Sequence, residues 1–387
     1  MSELNTITLP STEELKLWFA NHIEEIIAED ISIVSVPAPS WDEEERAIFL
    51  EKRFKELGLK DVFVDDVYNV IGILPGKAQG PKLLLAAHLD TVFPRDTDLT
   101  VRREGTKIYA PGIRDNSFGV TSLIWLLVAL KELQIELPGD LICVATAGEE
   151  GLGDLKGMKA AMERFHKETD YVIAVDGGLG GLTTGGITSR RHRVTIHAEG
   201  GHSYGAFGNS SAIHSLGKMI AGISELQVPQ APRTTFNVGV ISGGNSVNSI
   251  ASSADMLIDM RSEDRKCLLD LEERLFNIIK QVTTADSVSF VDELLGDRPG
   301  GQTPEDHPFV QAIIEVQSSL GINTSTHASS TDANVPMSYG IPAVCMGCAH
   351  GGNAHRTDEW LETTDIDLGM TQLVQVVAKV MSLPKRV

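Results

Sequence analysis

The feature that most constrains the fold of this chain is a series of short apolar runs with helical stretches between them. The runs cover residues 70–74, 82–87, 141–146, 171–175 and 343–346. They are continuous rather than alternating, which indicates strands buried on both faces of a mostly parallel sheet. Helical patterns at 118–133 and 155–166 separate them. The sequence therefore predicts an α/β fold in which helices sandwich a mostly parallel sheet.

The pattern changes between residues 189 and 300. There the order is strand, helix, strand, strand, helix, strand, at 193–198, 212–226, 234–242, 254–261, 263–282 and 287–293. The strands alternate, which is typical of a sheet covered on one face, and the order predicts a ferredoxin-like unit. At 387 residues the chain is long enough for two domains. We therefore predict a catalytic domain of residues 1–188 and 301–387, with the domain 189–300 inserted into it.

Charge and cysteine content limit the partners and the compartment. The formal net charge of −20 would repel nucleic acid and anionic membranes, so neither is an expected partner. The N-terminus lacks a basic start before an apolar run, and no stretch approaches about eighteen apolar residues, so no signal or membrane span is predicted. Four cysteines favour a reducing cytoplasm. We interpret the lone pair Cys345 and Cys348 as packing residues rather than zinc ligands.

Near the N-terminus, residues 12–56 predict two helices with a turn at 37–40. Ser40 is placed to cap the second of these helices, which starts with acidic residues.

Histidines and carboxylates follow the buried runs. They are His88 and Asp90, Glu149 and Glu150, Asp176, and His350 and His355, while Asp115 precedes a helix. Because the carboxyl ends of parallel strands form one edge of a sheet, we expect these side chains to lie close together. Taken singly, each motif also has an ordinary explanation as a capping pair, a solvated helix start or a glycine turn. Their joint position after buried strands favours a metal site.

The residue types indicate which metal. So many carboxylates in one place repel each other unless cations neutralise them. Histidine and carboxylate ligands without a thiolate suit zinc, with cobalt or manganese as substitutes. A carboxylate that bridges two divalent ions holds them about 3.5–4 Å apart, the spacing of two-metal hydrolysis.

These motifs resemble those of a known family. The segments AAHLDTV, PGIRDNSFG, TAGEEGLGDLKG, AVDGG and HGGNAHRTDEW are similar, in order and over nearly the whole chain, to the co-catalytic metal-dependent amidohydrolases of peptidase T, carboxypeptidase G and aminoacylase. TAGEEGLGDLKG is most similar to the peptidase T side. The resemblance implies two divalent ions per subunit and an inserted lid and dimerisation domain.

The resemblance also implies roles for single residues. His88 and Asp176 would bind one ion and Glu150 and His355 the other, while Asp115 would bridge them and precede a cis peptide bond. Asp90 would fix the tautomer of His88. Glu149 would be the general base that passes the proton of the attacking water to the leaving amine.

Further residues are carried over to the substrate. His202, in GGHSYG, would reach the active site of the partner subunit in a homodimer and polarise the scissile carbonyl; the alternative is a histidine in a turn. Asn248 and Arg261 fall where the family holds substrate, although Arg261 equally fits an ordinary cation at a strand end. Ser330, Thr331 and Asp332 would belong to a loop that lines the pocket.

Several positions depart from the family or stay open. Asp176 stands where acylases and carboxypeptidases more often have glutamate, which favours an aminopeptidase. Arg356 favours an anionic substrate group or pairs with Asp358. His350 competes with His355 as ligand, and we favour His355 because Glu359 follows at the family's spacing. His327 has no assigned role.

The predicted function is a metal-dependent exopeptidase that hydrolyses amide bonds of short peptides, as an aminopeptidase or as a di- or tripeptidase. The alternative within the same chemistry is removal of an acyl or carbamoyl group from an N-substituted amino acid, or carboxypeptidase action. A non-catalytic binding protein on the same scaffold is a third possibility, opposed by the complete ligand set and Glu149.

Overall fold

The computed structural model describes residues 7–386. The helices are α1 (Thr12–Asn21), α2 (Ile23–Val34), α3 (Glu44–Leu57), α4 (Phe118–Glu132), α5 (Lys156–Phe165), α6 (Ala212–Ser224), α7 (Arg265–Asp286), α8 (Pro308–Ser319), α9 (Asn334–Ser338) and α10 (Ile366–Met381). The strands are β1 (Lys60–Val64), β2 (Val70–Leu74), β3 (Leu83–His88), β4 (Arg102–Glu104), β5 (Lys107–Tyr109), β6 (Leu141–Thr146), β7 (Tyr171–Leu179), β8 (Gly181–Gly186), β9 (Thr188–His197), β10 (Gly201–His202), β11 (Thr234–Gly243), β12 (Ser249–Ile250), β13 (Ser253–Ser262), β14 (Ser289–Arg298), β15 (Gly301–Gln302), β16 (Ser325–Ser329), β17 (Ala343–Gly347), β18 (Gly351–Gly352) and β19 (Trp360–Glu362).

The largest sheet has the order β1-β2-β6-β3-β7-β17-β8-β15, and β16 also pairs with β8. Its centre is parallel, because β3 runs parallel to β6 and β7, and β17 runs parallel to β7. The α/β fold with a mostly parallel sheet is therefore confirmed. Strand β2 is an exception, since it pairs antiparallel with β6. Its apolar run reflects burial, and burial does not depend on strand direction.

Helices cover both faces of this sheet, as predicted. Alternate residues of β3 enter separate cores: Leu83 and Leu85 pack in one, and Leu84 and Ala86 in the other. The first core contains most of helices α4 and α10, and the second contains the apolar face of α5. Both faces of each central strand are thereby removed from water, which explains why their sequences lack polar alternation.

The segment Ile113–Glu132 is long and apolar enough to cross a membrane, but 83% of its most apolar stretch is buried inside the protein. It contains α4, whose side chains form much of the first core. Such burial is typical of a helix in the core of a folded protein.

Two details near the N-terminus differ from expectation. The residues before the turn form two helices, α1 and α2, which meet at His22. Helix α3 has Glu43 at its N-cap and no side-chain cap. The Ser40 hydroxyl instead donates to the Asp90 carboxylate at 2.6 Å, so the predicted cap was wrong. The capping rule considers local partners only, and the stronger acceptor lies fifty residues away.

The chain divides into two compact units. One contains the residues up to Gly186 and those from Gln302, and the other is Ile187–Gly301. The second unit has a four-stranded antiparallel sheet of order β11-β13-β9-β14 with α6 and α7 packed on it. The element order β9-α6-β11-β13-α7-β14 and this strand order are those of a ferredoxin-like unit. In the first unit, the chain leaves after β8 and returns at β15, which is adjacent to β8 in the sheet.

Candidate metal centre

The ends of three parallel strands and two loops supply the clustered side chains. His88 ends β3, Asp176 follows the buried part of β7, and Glu149 and Glu150 lie in the loop after β6. Asp115 lies in a tight turn, Ile113–Ser117, directly before α4. The loop after β18 brings His355 to the same place. The structure thus places all the histidines and carboxylates predicted as metal ligands in one cluster within the first unit.

The Asp115 carboxylate lies between two histidines. Its Oδ1 is 3.2 Å from His88 Nε2, and its Oδ2 is 3.3 Å from His355 Nε2. Two groups of possible ligand atoms therefore share Asp115. We call them the inner half, with His88 and Asp176, and the outer half, with Glu150 and His355. In the outer half, His355 Nε2 is 2.9 Å from Glu150 Oε1.

The charges of the cluster call for cations. Burial alone would lower the pKa of His88, but Asp115 and Asp90 outweigh it and raise that pKa well above its ordinary value. Hydrogen bonds to Asp115 and Glu150 raise the pKa of His355 to about 10. Burial and the nearby Asp115 carboxylate raise the pKa of Asp176. The carboxylates therefore attract positive charge strongly, and divalent ions supply it without protonating the ligands.

Asp90 holds the backbone of the cluster in place through hydrogen bonds to its carboxylate. Its Oδ1 accepts the Glu149 N–H at 2.9 Å, and its Oδ2 accepts the Glu150 N–H at 3.1 Å and the Ser40 hydroxyl. The Asp90 backbone carbonyl, not its carboxylate, is the nearest partner of His88 Nδ1, at 3.1 Å against 3.6 Å. Because a carbonyl only accepts, Nδ1 carries the proton and Nε2 faces Asp115.

Glu359 holds the turn that presents Asp115. Its buried carboxylate accepts the backbone N–H groups of Gly112, Arg114 and Asp115 at 3.2, 2.9 and 2.8 Å. Burial raises the pKa of Glu359 to about 7 despite these bonds. On the other side of the turn, the Asp115–Asn116 peptide bond is cis, and the Asn116 side chain donates to Val175 O and accepts from Gly119 N.

In the sequence, Glu359 was notable only for its spacing from His355, and Ser40 was predicted to cap a helix. The contacts of Glu359 span more than two hundred residues, so no local pattern shows them.

Glu149 lies beside the metal ligands. It belongs to a third group with His88 and Glu150, whose ligand atoms also lie within 4.8 Å of one another. A carboxylate at this place can serve as a ligand or as a proton acceptor for a molecule bound at the cluster.

The 350–358 loop contains His350 and Arg356, whose roles the sequence leaves open. Among the described residues, the clusters of possible ligands contain His355 and do not contain His350. Arg356 binds Asp358 through two hydrogen bonds, at 2.7 and 3.0 Å, and its side chain is 67% exposed. Arg356 thus makes the pairing that was one of its two predicted roles.

The residues predicted to hold substrate are in the second unit. His202 is exposed, and its Nδ1 accepts the N–H groups of Tyr204 and Gly205, both at 3.2 Å. Its proton is therefore on Nε2. Asn248 lies next to it, because its carbonyl accepts the Ser203 N–H at 2.9 Å.

Arg261, on β13, donates from Nε to Asp259 at 2.8 Å. The structure brings His202 and Asn248 together. The pairing of Arg261 with Asp259 matches the ordinary strand-end cation that was its alternative role.

Two residues of the 330–332 loop, Thr331 and Asp332, differ in their position relative to the pocket. Thr331 lines a small cavity beside Asp115 and Asp176, together with His327 and Cys345. Asp332 is buried, and its carboxylate accepts a hydrogen bond from the Thr146 hydroxyl at 2.5 Å. Burial raises the pKa of Asp332 to about 6.

The donors of the cluster fit divalent metal ions. Imidazole nitrogens and carboxylate oxygens lie close enough to share ions, and one carboxylate faces both halves. Cys345 is close to Asp176, but burial raises the pKa of its thiol well above the ordinary value. Among the described residues, the candidate clusters contain histidines and carboxylates and no cysteine, so the donor set is one of nitrogen and oxygen, which suits zinc, cobalt or manganese.

Comparison with known proteins identifies relatives of similar length. The chain is 26% identical over 409 residues to N-formyl-4-amino-5-aminomethyl-2-methylpyrimidine deformylase of Halalkalibacterium halodurans, covering 92% of this chain and 94% of the relative. It is 27% identical over 351 residues to acetylornithine deacetylase of Klebsiella pneumoniae, covering 84% and 88%. A tripeptidase structure from Staphylococcus aureus has a TM-score of 0.80 at 23% identity, covering 93% and 99%. This last likeness shows the fold.

The fold and the cluster define the class of a metal-dependent hydrolase acting on amide or peptide bonds. The model of Peptidase family M20/M25/M40 matches residues 84–379, and the chain belongs to that family. The resemblance inferred from the motifs is confirmed.

Proposed function

We propose that the chain is a dinuclear metallopeptidase. His88 and Asp176 would hold one divalent ion and Glu150 and His355 the other, while Asp115 would be shared by both. The observation that carries the proposal is the placement of the two Asp115 oxygens, 3.2 and 3.3 Å from the Nε2 atoms of two different histidines. Zinc is the proposed metal, with cobalt or manganese as substitutes.

When bound, the two ions supply Lewis acidity for the amide carbonyl and lower the pKa of water. The protein supplies the proton transfers. Glu149, next to His88 and Glu150, takes the proton of the attacking water and gives it to the leaving amine nitrogen. Asp90 keeps Glu149 in place by accepting its backbone N–H, and the Asp90 carbonyl keeps the proton of His88 on Nδ1.

The second unit supplies the carbonyl-polarising group in this proposal. His202 carries its proton on Nε2, and an exposed N–H donor can stabilise the negative charge that develops on the carbonyl oxygen. His202 would act in the active site of the partner subunit of a homodimer. Asn248, adjacent to His202, and Arg261 would contact the substrate.

We expect a homodimer to form through an exposed edge of the four-stranded sheet in the second unit. Strand β11 is an edge strand, and Val240 and Ile241 on it are 53% and 61% exposed. Apolar edge strands favour pairing with another chain. Ile241→Lys should therefore give a monomer by light scattering, and a dimer that persists would remove this edge from the proposed interface.

Short peptides are the proposed substrates, cleaved as by an aminopeptidase or a di- or tripeptidase. Aspartate at 176, where acylases of the family more often carry glutamate, supports this choice, as does the fold shared with a tripeptidase. N-acyl amino acids are the second candidate. The deformylase and the deacetylase are the observation that favours it, because their names describe removal of a small acyl group and their identities exceed that of the tripeptidase. The cytoplasm remains the predicted compartment.

A substrate panel tests the proposal. Di- and tripeptides with free N-termini are compared with N-acetyl, N-formyl and N-carbamoyl amino acids, with metal content measured on the same preparation. The proposal expects turnover of peptides. Glu149→Gln should retain both ions and lose about 10²–10⁴-fold in kcat. The control is Glu163→Gln on the exposed face of α5. Full activity of Glu149→Gln would remove Glu149 from its role, and cleavage of acylated amino acids alone would favour the second candidate.

A further inference from the structure

Arg114 directly precedes Asp115, and its positive charge acts to lower the pKa of the Asp115 and Asp176 carboxyls. Among residues 7–386, no carboxylate lies within the 4.0 Å of an ion pair with Arg114, and its Nε is buried without a hydrogen-bond partner. A buried polar group without a partner is costly, and a charged one more so. Because Arg114 also lines a pocket beside the metal cluster, its guanidinium is placed to receive an anion that arrives with the substrate.

The pocket that Arg114 lines has a suitable size. The cavity is about 170 Å³ and is bounded by Arg114, Asp115, Asp176, Thr183, His327 and Thr331, with glycines between them. At ~30 Å³ for a water in the liquid, it accepts a group of about five or six heavy atoms. A carboxylate on a short aliphatic chain has this size.

The other ionisable side chains that line the pocket, apart from the Cys345 thiol, have partners or proposed ligand roles. His327 Nδ1 donates to Ser325 O at 3.1 Å, so its Nε2 accepts the Thr183 hydroxyl, also at 3.1 Å. In the proposed function, Asp115 and Asp176 bind metal. Among the described residues that line the pocket, Arg114 therefore supplies the fixed positive charge.

The local backbone makes room for the Arg114 side chain. A Cβ at position 351 would lie 2.6 Å from Arg114 Cδ, so the stem of the side chain passes over a residue that must be glycine. At position 177, where φ is +87°, a Cβ would lie 4.0 Å from Arg114 Nη2. Arg114 is thus directed along the backbone that follows Asp176, toward the pocket.

Arg356 is the instructive contrast. It also adjoins a proposed ligand, His355, but Asp358 holds it through two hydrogen bonds and it is exposed. Of these two arginines, only Arg114 combines a pocket position with the lack of a carboxylate partner.

The proposed role of Glu149 determines which part of the substrate this pocket would receive. Its described lining includes Asp115 and Asp176 of the inner half but not Glu149, Glu150 or His355. The leaving amine receives its proton from Glu149, so the amine departs on the Glu149 side. The acyl part of the substrate therefore points toward Arg114.

We propose that Arg114 binds a carboxylate on the acyl side of the substrate, which makes the enzyme selective for acidic acyl groups. The proposal rests on the proposed function. The carboxylate has two possible sources: the side chain of an acidic N-terminal residue, or the free end of a dicarboxylic acyl group such as succinyl. The guanidinium serves both because it accepts a carboxylate through two parallel hydrogen bonds.

Two pairs of substrates that differ by one charge test the proposal and separate the sources. The first pair is Asp-Leu and Asn-Leu, and the second is N-succinyl-leucine and N-succinamoyl-leucine. In the wild type, kcat/KM for the acidic member of one pair should exceed that of its neutral partner by about 10- to 100-fold, the strength of a charge-assisted hydrogen bond. The pair with the larger ratio identifies the source.

Arg114→Met should bring that ratio close to one, and Arg114→Lys should keep part of it, because lysine retains the charge but not the fork. Arg356→Met is the matched control and should leave the ratio unchanged. Because each ratio is taken within one variant, a general loss of activity does not affect it. Wild-type ratios near one in both pairs, or a ratio unchanged in Arg114→Met, would overturn the proposal.

A binding measurement separates failure of this inference from failure of the proposed function. Succinate and succinamate are titrated calorimetrically into metal-loaded wild type and Arg114→Met. If no amide substrate is turned over, the proposed function fails, and the pocket is then judged by these titrations alone. Tighter binding of succinate by the wild type, lost in Arg114→Met, supports the pocket; equal binding of both ligands contradicts it.

Discussion

The inner and outer halves of the cluster are held in opposite ways. His88 is 2% exposed, ends a fully buried strand and has its ring fixed by the Asp90 carbonyl. His355 is 55% exposed and lies in a loop at φ +66°, a conformation that non-glycine residues rarely adopt. The inner half therefore owes its geometry to the sheet, and the outer half owes its geometry to a loop. Only Asp115 belongs to both.

The largest effect should come from the shared residue. Asp115→Asn removes the negative charge that faces both histidines, so we expect loss of both ions and a fall in activity on the order of 10⁴-fold or more, because no activated water remains. Elemental analysis and a peptidase assay measure the two quantities, with Asp98→Asn in an exposed loop as control. Retention of one ion would show that the halves are independent.

Metal removal should separate the halves next. Under a chelator, the ion of the outer half should leave first, because His355 is exposed and its loop can open without disturbing a strand. Metal content followed in time should show two phases, each releasing one ion per subunit. A single phase that releases both ions would contradict the difference between sheet and loop.

Asp90→Asn should affect the outer half more than the inner half. The nearest partner of His88 is a backbone carbonyl, which the substitution keeps, whereas the two N–H groups of Glu149 and Glu150 bind different carboxylate oxygens. Asparagine offers only one oxygen, and support residues of this kind typically contribute 10- to 100-fold in metal affinity. Calorimetric titration of each ion tests this. The control, Asp140→Asn, alters a hydrogen bond at the opposite end of β6.

Glu359→Gln should give the smallest effect. The amide oxygen can replace part of the acceptor capacity for three N–H groups, so a loss of about 1 kcal/mol is expected. This corresponds to a Tm lowered by about 1–2 °C in a chain of 387 residues and to roughly fivefold weaker metal binding if the loss falls on the metal-bound state. Glu362→Gln, in strand β19 directly after Glu359, is the control. Equal effects of the two substitutions would deny Glu359 a role in placing Asp115.

The sequence predicts the ligands of the inner half better than it predicts the residues that hold the cluster in place. His88 and Asp176 follow apolar runs, and the rule that parallel strands share a carboxyl edge is enough to bring them together. Ser40 and Glu359 act through contacts with residues distant in sequence, which no local pattern encodes. The direction of β2 was missed for a related reason, since an apolar run reports burial only. Arg114 was visible as a residue, but only the structure shows that it lines a pocket and that no carboxylate among residues 7–386 lies within ion-pair distance of it.

The insertion point has a consequence for how such a chain can be altered. Because β8 and β15 are neighbours in the sheet and Thr303 N donates to Thr184 O at 2.9 Å, the chain leaves and re-enters the sheet at almost the same place. A short linker between these strands could replace the whole intervening segment without rethreading any strand. The segment that carries His202 can thus be exchanged or redesigned as a cassette, while the strand order that gathers the ligands stays as it is.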